Sequence, residues 1–328
     1  MRRAVLVALL LAAAVVAACG GQLSSSDDDD RVRIAYVPKS LNQEYWVNTK
    51  KGAEAGVHGR GAEVITQSAN ADTEIAEQID IVENLLAQEV DALAIAPSSS
   101  DLLKPVLERA AKEIPVVLVD SDIADWKPKT AYVGTENFDG AKLAGKYIAE
   151  QMKDGGTLAV IAGIPGSEIG IERVDGVKAG LKEARSKVKV VKEVPGNFDR
   201  EQAVGAMEDI LQTDPDVDAV FAANDQMALG AIESIAARKK EDQILLVGFD
   251  GALEATQQII GGSMDATVAQ DPYDMGKIGV EIALKKLRGE RVPRKVNTGA
   301  RLITPDNADR YFEEVRGKLG GTGRGLEG

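Results

Sequence analysis

The chain reads as an α/β protein built from two doubly wound parallel-sheet lobes. Three observations predict this. Its 328 residues exceed one ordinary core and suit two units of roughly 100–150 residues each. Short apolar runs alternate with longer stretches of helical period. That alternation runs through once and then restarts near residue 158, so two similar series follow one another. Strand–helix–strand order calls for parallel strands joined by right-handed crossovers.

The first segment is a leader. Arg2 and Arg3 precede an unbroken apolar stretch from Ala4 to Ala18, short for a membrane span and suited to a signal-peptide core. Small residues lead into Cys19, the only cysteine, as in a lipoprotein signal peptide over residues 1–18 with Cys19 as the lipidated residue. A single cysteine also excludes a disulfide within the chain. Residues 19–30 are small, polar and then acidic, and read as a flexible tether.

The first series begins with a strand at Val32 to Val37 and helical spacing from Trp46 to Arg60. Val64 to Thr66 is a short strand. Thr73 to Gln88 puts Ile75, Ile79, Val82, Leu85 and Leu86 on one helical face. Ala92 to Ala96 is a strand, Leu102 to Lys112 a helix and Val116 to Val119 a strand. The second series runs through a strand at Leu158 to Ile161, a helix at Ile171 to Lys187 and a strand at Val188 to Val194. It continues with a helix at Ala203 to Gln212, a strand at Ala219 to Phe221, a helix at Met227 to Ala237 and a strand at Ile244 to Val247. A strand at Ala266 to Val268, a helix at Met275 to Arg288 and a last helix near Asp306 to Leu319 complete the pattern. Residues 320–328 are glycine-rich and read as a disordered tail.

Open parallel sheets bind ligands beyond the carboxyl ends of their strands. There the sequence places Lys39, Gln43, Tyr45, Trp46, Asp120, Ser121, Phe198, Asn224, Asp250 and Gln270. Amides and carboxylates exchange hydrogen bonds with hydroxyl groups, and flat rings cover the apolar faces of a pyranose or furanose. The combination suits a sugar or polyol. Each residue is also of a type that caps helices or fills turns, Asp225 before Met227 among them. Lys39 reads as a partner of Asp120 or Asp122, as a group facing a carboxylate or hydroxyl of the ligand, or as a solvated strand-end lysine.

Several classes are excluded. A net charge of −13 with no basic stripe argues against nucleic acid as a partner. His58 is the sole histidine, which removes Ser-His-Asp and Cys-His catalysis and histidine-rich metal sites. No phosphate-binding loop is present, and a nominal G-x-G-x-x-G in the tail precedes no helix. The chain therefore reads as a non-enzyme without metal or cofactor.

The motifs carry a resemblance. Val220-Phe221-Ala222-Ala223-Asn224-Asp225-Gln226-Met227-Ala228-Leu229-Gly230-Ala231, Val247 to Gly251, Ala266 to Gln270, Asn197 to Arg200 and Ile34 to Val37 resemble the ribose-binding group of periplasmic proteins that serve ABC transporters. The likeness runs over about residues 31–305. It implies the type I periplasmic binding protein fold, with three hinge crossings near Thr135, Asp271 and Thr298. The implied lobes are 31–134 plus 271–298 and 135–270 plus 299–319. It implies a ligand between them, a membrane permease with a separate ATPase subunit, and a monomer anchored by its lipid outside the cytoplasm. Asn224, Asp250 and Gln270 match hydrogen-bonding positions of the ribose site, Asp120 a hydroxyl-binding acid and Phe198 a stacking ring. Tyr45 and Trp46 fall where that site has two phenylalanines, and Arg173 matches a family arginine. Four positions depart: Lys39 replaces a small hydroxyl residue, Gln43 an asparagine, Ser121 an arginine and Ile171 a second arginine. Lys39 and Asp120 to Asp122 also resemble autoinducer-binding relatives, so a sensory co-receptor stays open beside transport.

Overall fold

The computed structural model describes residues 31–320. The expected signal peptide, Cys19, the tether up to residue 30 and the tail beyond residue 320 lie outside the described residues.

The first sheet is built from β1 (Val32–Val37), β2 (Ala62–Thr66), β3 (Ala92–Ile95), β4 (Val116–Val119), β5 (Ala131–Gly134) and β11 (Lys295–Asn297), in the order β2-β1-β3-β4-β5-β11. Every pairing in it is parallel. Parallel strands need crossovers, supplied by α1 (Glu44–Val57), α2 (Ile75–Ala87) and α3 (Ser100–Glu113). Both faces are covered, so the strands read as continuous apolar runs. In β1, Ala35 and Val37 pack with α2 and α3, whereas Ile34 and Tyr36 face α1 and α9 (Pro272–Leu287).

The second sheet repeats the plan with β6 (Gly156–Ala162), β7 (Val188–Pro195), β8 (Ala219–Ala222), β9 (Leu245–Asp250), β10 (Ala266–Ala269) and β12 (Arg301–Ile303). Its order is β7-β6-β8-β9-β10-β12, matching the first sheet position by position. The outer strand differs, because β12 runs antiparallel to β10. Around this sheet lie α4 (Asn137–Gln151), α5 (Glu168–Glu183), α6 (Arg200–Thr213), α7 (Asp225–Ala237), α8 (Leu253–Gly261) and α10 (Ala308–Gly320). The chain passes between the sheets three times: between β5 and α4, between β10 and α9, and between β11 and β12.

Five elements fall where the sequence pattern shows none: β5, α4, α8, β11 and β12. The buried face of α4 is mostly small, with Gly140, Ala141, Ala144, Gly145 and Ala149 beside Asn137 and a single large residue, Ile148. Small residues give almost no apolar periodicity, yet they let α4 approach α5 closely. A Cβ at Gly145 would come within 2.2 Å of the Val177 carbonyl oxygen. The three-residue strands β11 and β12 exist only because a sheet edge is there to pair with.

Candidate functional site

The first lobe brings its candidates together at the ends of β1 and β4. Asp120 follows β4 with φ 65°, and the Ser121 amide donates to the Val119 carbonyl at 2.7 Å. A positive φ inside such a three-residue turn is rare and strained. The turn aims the Asp120 carboxylate inward. Oδ1 accepts from the Tyr45 hydroxyl at 2.6 Å and Oδ2 from the Ser121 hydroxyl at 2.9 Å. The Lys39 ammonium lies 3.7 Å from Oδ2 and 5.4 Å from the centre of the Trp46 ring. Lys39 is only 9% exposed, which removes the solvated reading. Its partner is Asp120, while Asp122 turns away to bond Lys129. Tyr45 and Trp46 meet edge to face with centroids 4.9 Å apart.

The second lobe presents Arg173, Phe198, Asn224, Asp250 and Gln270. Arg173 on α5 is buried, and its Nε donates to Asn137 Oδ1 at 3.0 Å. Its Nη1 donates to the Ala223 carbonyl at 2.7 Å and lies 3.0 Å from Asp250 Oδ1. The guanidinium also stacks 3.9 Å from the centre of the Phe249 ring. Asp250 ends β9 at φ 127°, and Gln270 Nε2 donates to it at 2.8 Å. Asn224 is the cap of α7, accepting from the Met227 amide at 2.9 Å, and its Nδ2 donates to the Phe198 carbonyl at 3.3 Å. The cap is thus not Asp225. Asp225 is buried one position on and accepts from Thr267 and from the Ala252 amide, each at 2.7 Å, bracing the loop after β9.

Asn197 and Phe198 both sit at positive φ, 55° and 59°. An aromatic residue rarely adopts this conformation. The Phe198 ring lies against the end of β6, where a Cβ at Gly163 would come within 2.1 Å of it.

Nine of the eleven candidates line one interlobe cleft: Lys39, Gln43, Tyr45, Trp46 and Asp120 from the first lobe, with Arg173, Phe198, Asn224 and Asp250 from the second. Gln43 Nε2 donates across it to the Phe198 carbonyl at 3.4 Å. Ser121 and Gln270 stand behind the cleft on opposite sides, each holding an aspartate. The lining groups pair with one another so closely that the space between them is about 30 Å³, roughly one water's share of liquid volume.

Burial dominates the electrostatics. The Asp250 carboxyl is pushed up to about 6 by burial, a rise that Arg173 and Gln270 oppose and Asp120 adds to. Asp225 is pushed well above the usual carboxylate range, first by burial and then by Asp250. The Tyr45 hydroxyl rises for the same reasons, burial and then Asp120.

Two further residues line the cleft. Asp72, in the loop after β2, accepts from the Ser40 hydroxyl at 2.7 Å and from Trp46 Nε1 at 3.0 Å, fixing the indole. Ile169 on α5 gives an apolar surface. The strand-end rule reaches Asp72, since β2 is one of the predicted strands. Ile169 has no polar signature to find.

A family description, periplasmic binding protein domain, matches residues 34–291. The ribose import binding protein of Bacillus subtilis is 37% identical over 266 residues, 81% of this chain and 85% of that protein. A carbohydrate transporter solute binding protein from Agrobacterium radiobacter, solved in complex with D-arabinose, superposes with a TM-score of 0.82 at 29% identity, covering 87% of this chain and 98% of that one. An ABC transporter periplasmic solute binding protein from Actinobacillus succinogenes with bound D-allose gives 0.80 at 29% identity, covering 86% and 100%. These relatives are binding proteins rather than enzymes. With the same two-lobed architecture and one cleft between strand ends, this chain belongs to the periplasmic binding protein family, in its ribose-binding-protein-like branch.

Proposed function

We propose that the chain is an extracytoplasmic, lipid-anchored solute-binding protein that takes a monosaccharide or similar polyol into the interlobe cleft. It then presents that ligand to an ABC permease driven by a separate ATPase subunit. The signal peptide at residues 1–18, lipidation at Cys19 and a tether to residue 30 belong to this reading. So do lobes of 31–134 plus 271–298 and 135–270 plus 299–319, acting as a monomer without cofactor.

The observation that carries it is the convergence of charged and amide side chains from both lobes on a single cleft. Asp120 and Asp250 accept from ligand hydroxyls. Lys39, Arg173, Gln43 and Asn224 donate, and Trp46 and Phe198 supply ring faces. These groups now satisfy one another. Entry of a polyol exchanges those pairings for bonds to its hydroxyls. Because the ligand touches both lobes, it favours the closed arrangement. Hydrogen bonds to charged groups contribute about 1.5–3 kcal/mol each, so a few suffice for the roughly −8 kcal/mol of micromolar binding.

A thermal-shift screen of pentoses, hexoses, polyols and small sugar acids tests the assignment. A clear rise in melting temperature with one or a few neutral sugars is expected. A screen in which no sugar or polyol stabilises the protein removes the reading.

A further inference from the structure

Beside the narrow cleft lies a second space between the lobes. It measures about 240 Å³ and shares Lys39 and Asp120 with the cleft. That is room for roughly eight waters at about 30 Å³ each. Its first-lobe wall carries Ser99, Ser121 and Asp122, and its second-lobe wall Ser167, Glu168 and Glu172. A molecule here would touch both lobes, as one in the cleft does.

The lining has a definite charge character. Asp122 is bonded to Lys129, and Glu136 to Lys295 at 2.7 Å. Glu168 and Glu172, by contrast, make no hydrogen bond or ion pair among the described residues. They are free acceptors on the wall. Asp101 adds a further acid. Burial holds both glutamates above the usual carboxylate range, with Asp122 of the facing lobe adding to the rise at Glu168 and Glu168 to that at Glu172. Lys129 and Lys295 counter it. The Ser167 oxygen accepts from the Gly170 amide at 3.4 Å, which leaves its hydroxyl proton to donate. An acceptor-rich, negatively charged wall with hydroxyl donors suits a hydroxylated group and repels an anion.

We infer that this space is a second sugar subsite, so the monosaccharide unit held in the cleft can be one ring of a neutral disaccharide or glycoside whose second ring lies between Ser121 and Glu168. The inference rests on the sugar-binding reading above. Ala124 is exposed on the wall, away from the groups assigned to the first ring. Ala124→Trp narrows the space with a bulky ring and leaves the first-ring residues themselves unchanged.

Calorimetric titration of the whole protein tests it. The probes are free pentoses and hexoses; the neutral disaccharides lactose, maltose, melibiose, sucrose and xylobiose; and lactobionate as the charged counterpart of lactose. A neutral disaccharide should bind at least about tenfold tighter than either component sugar. Lactobionate should bind no tighter than lactose. Ala124→Trp should weaken the disaccharide about tenfold and leave the free sugar unchanged. If free sugars bind and every disaccharide binds more weakly, the second subsite is wrong while the first reading stands. A preferred disaccharide that is indifferent to Ala124→Trp also overturns the location. If no probe binds at all, the sugar reading fails and takes the subsite with it.

Discussion

Asp120, Phe198 and Asp250 occupy backbone conformations that side chains avoid, and all three point into one cleft. Strain of this kind persists only where the surroundings over-determine it. Asp250 adds an electrostatic cost, because its carboxyl in the fold titrates near 6 against an ordinary 3.8. A raised acid favours the fold when protonated. Its contribution is complete below about 3.8 and is lost as pH rises through about 6. The heat stability of the protein without sugar should therefore rise as pH is lowered from 7.5 to 5, followed by scanning fluorimetry. Asp250→Asn should flatten part of that rise. Sugar binding should move the opposite way, weakening below pH 6 as the acceptor is neutralised. Asp250→Ala should abolish the sugar-induced shift while the far-ultraviolet spectrum stays native. Unchanged affinity in that variant would refute the cleft as the site. The identity of these residues was legible in the sequence because strand ends are where such sheets bind. Their backbone strain was not, since a positive φ at a phenylalanine or aspartate leaves no compositional trace.

At the scale of elements, glycine-mediated helix contacts recur in both lobes. In the first, a Cβ at Gly52 of α1 would fall 1.9 Å from the Tyr273 carbonyl oxygen, and one at Gly276 of α9 would fall 1.9 Å from that of Thr49. In the second, Gly145 of α4 and Gly180 of α5 play the same part, with carbonyl oxygens at 2.2 and 2.4 Å. The obstructing atoms are backbone, so a neighbouring side chain cannot simply rotate away. Gly276→Ala should destabilise by about 1–3 kcal/mol, the usual cost of overpacking. At about 2–4 °C per kcal/mol, calorimetry resolves that loss. Gly205 of α6, which has open space around it, serves as the control: Gly205→Ala should stabilise slightly, by about 0.5–1 kcal/mol, rather than destabilise. The same small residues explain why α4 escaped the sequence pattern while α2, with Ile75, Ile79, Val82 and Leu85, did not. Helical periodicity reports bulky faces, and a face of glycine and alanine buries just as completely without announcing itself.

Across the whole molecule, the matching strand orders of the two sheets account for the restart in the sequence pattern, and their single difference lies at β11 and β12. Those two strands were the least legible part of the fold, because each is three residues long and pairs with a strand far back in the chain, β11 with Ala131–Gly134 and β12 with Ala266–Ala269. The proposed lipid anchor is tested at this scale too. If Cys19 carries the anchor, Cys19→Ala should move the protein from the detergent phase to the aqueous phase in a phase-partition assay. Retention in the membrane fraction would count against lipidation.

The three passages between sheets also bear on how such a chain matures. The sheet that begins at Val32 is not finished until α9, from Pro272, covers one of its faces and β11, ending at Asn297, closes its edge. Five of its six strands nonetheless lie within residues 32–134, as five of the other sheet's six lie within 156–269. During synthesis the N-terminal sheet lacks α9 over one face and β11 at its edge until nearly the entire polypeptide has emerged. That delay sets the order in which the two halves become able to resist a protease.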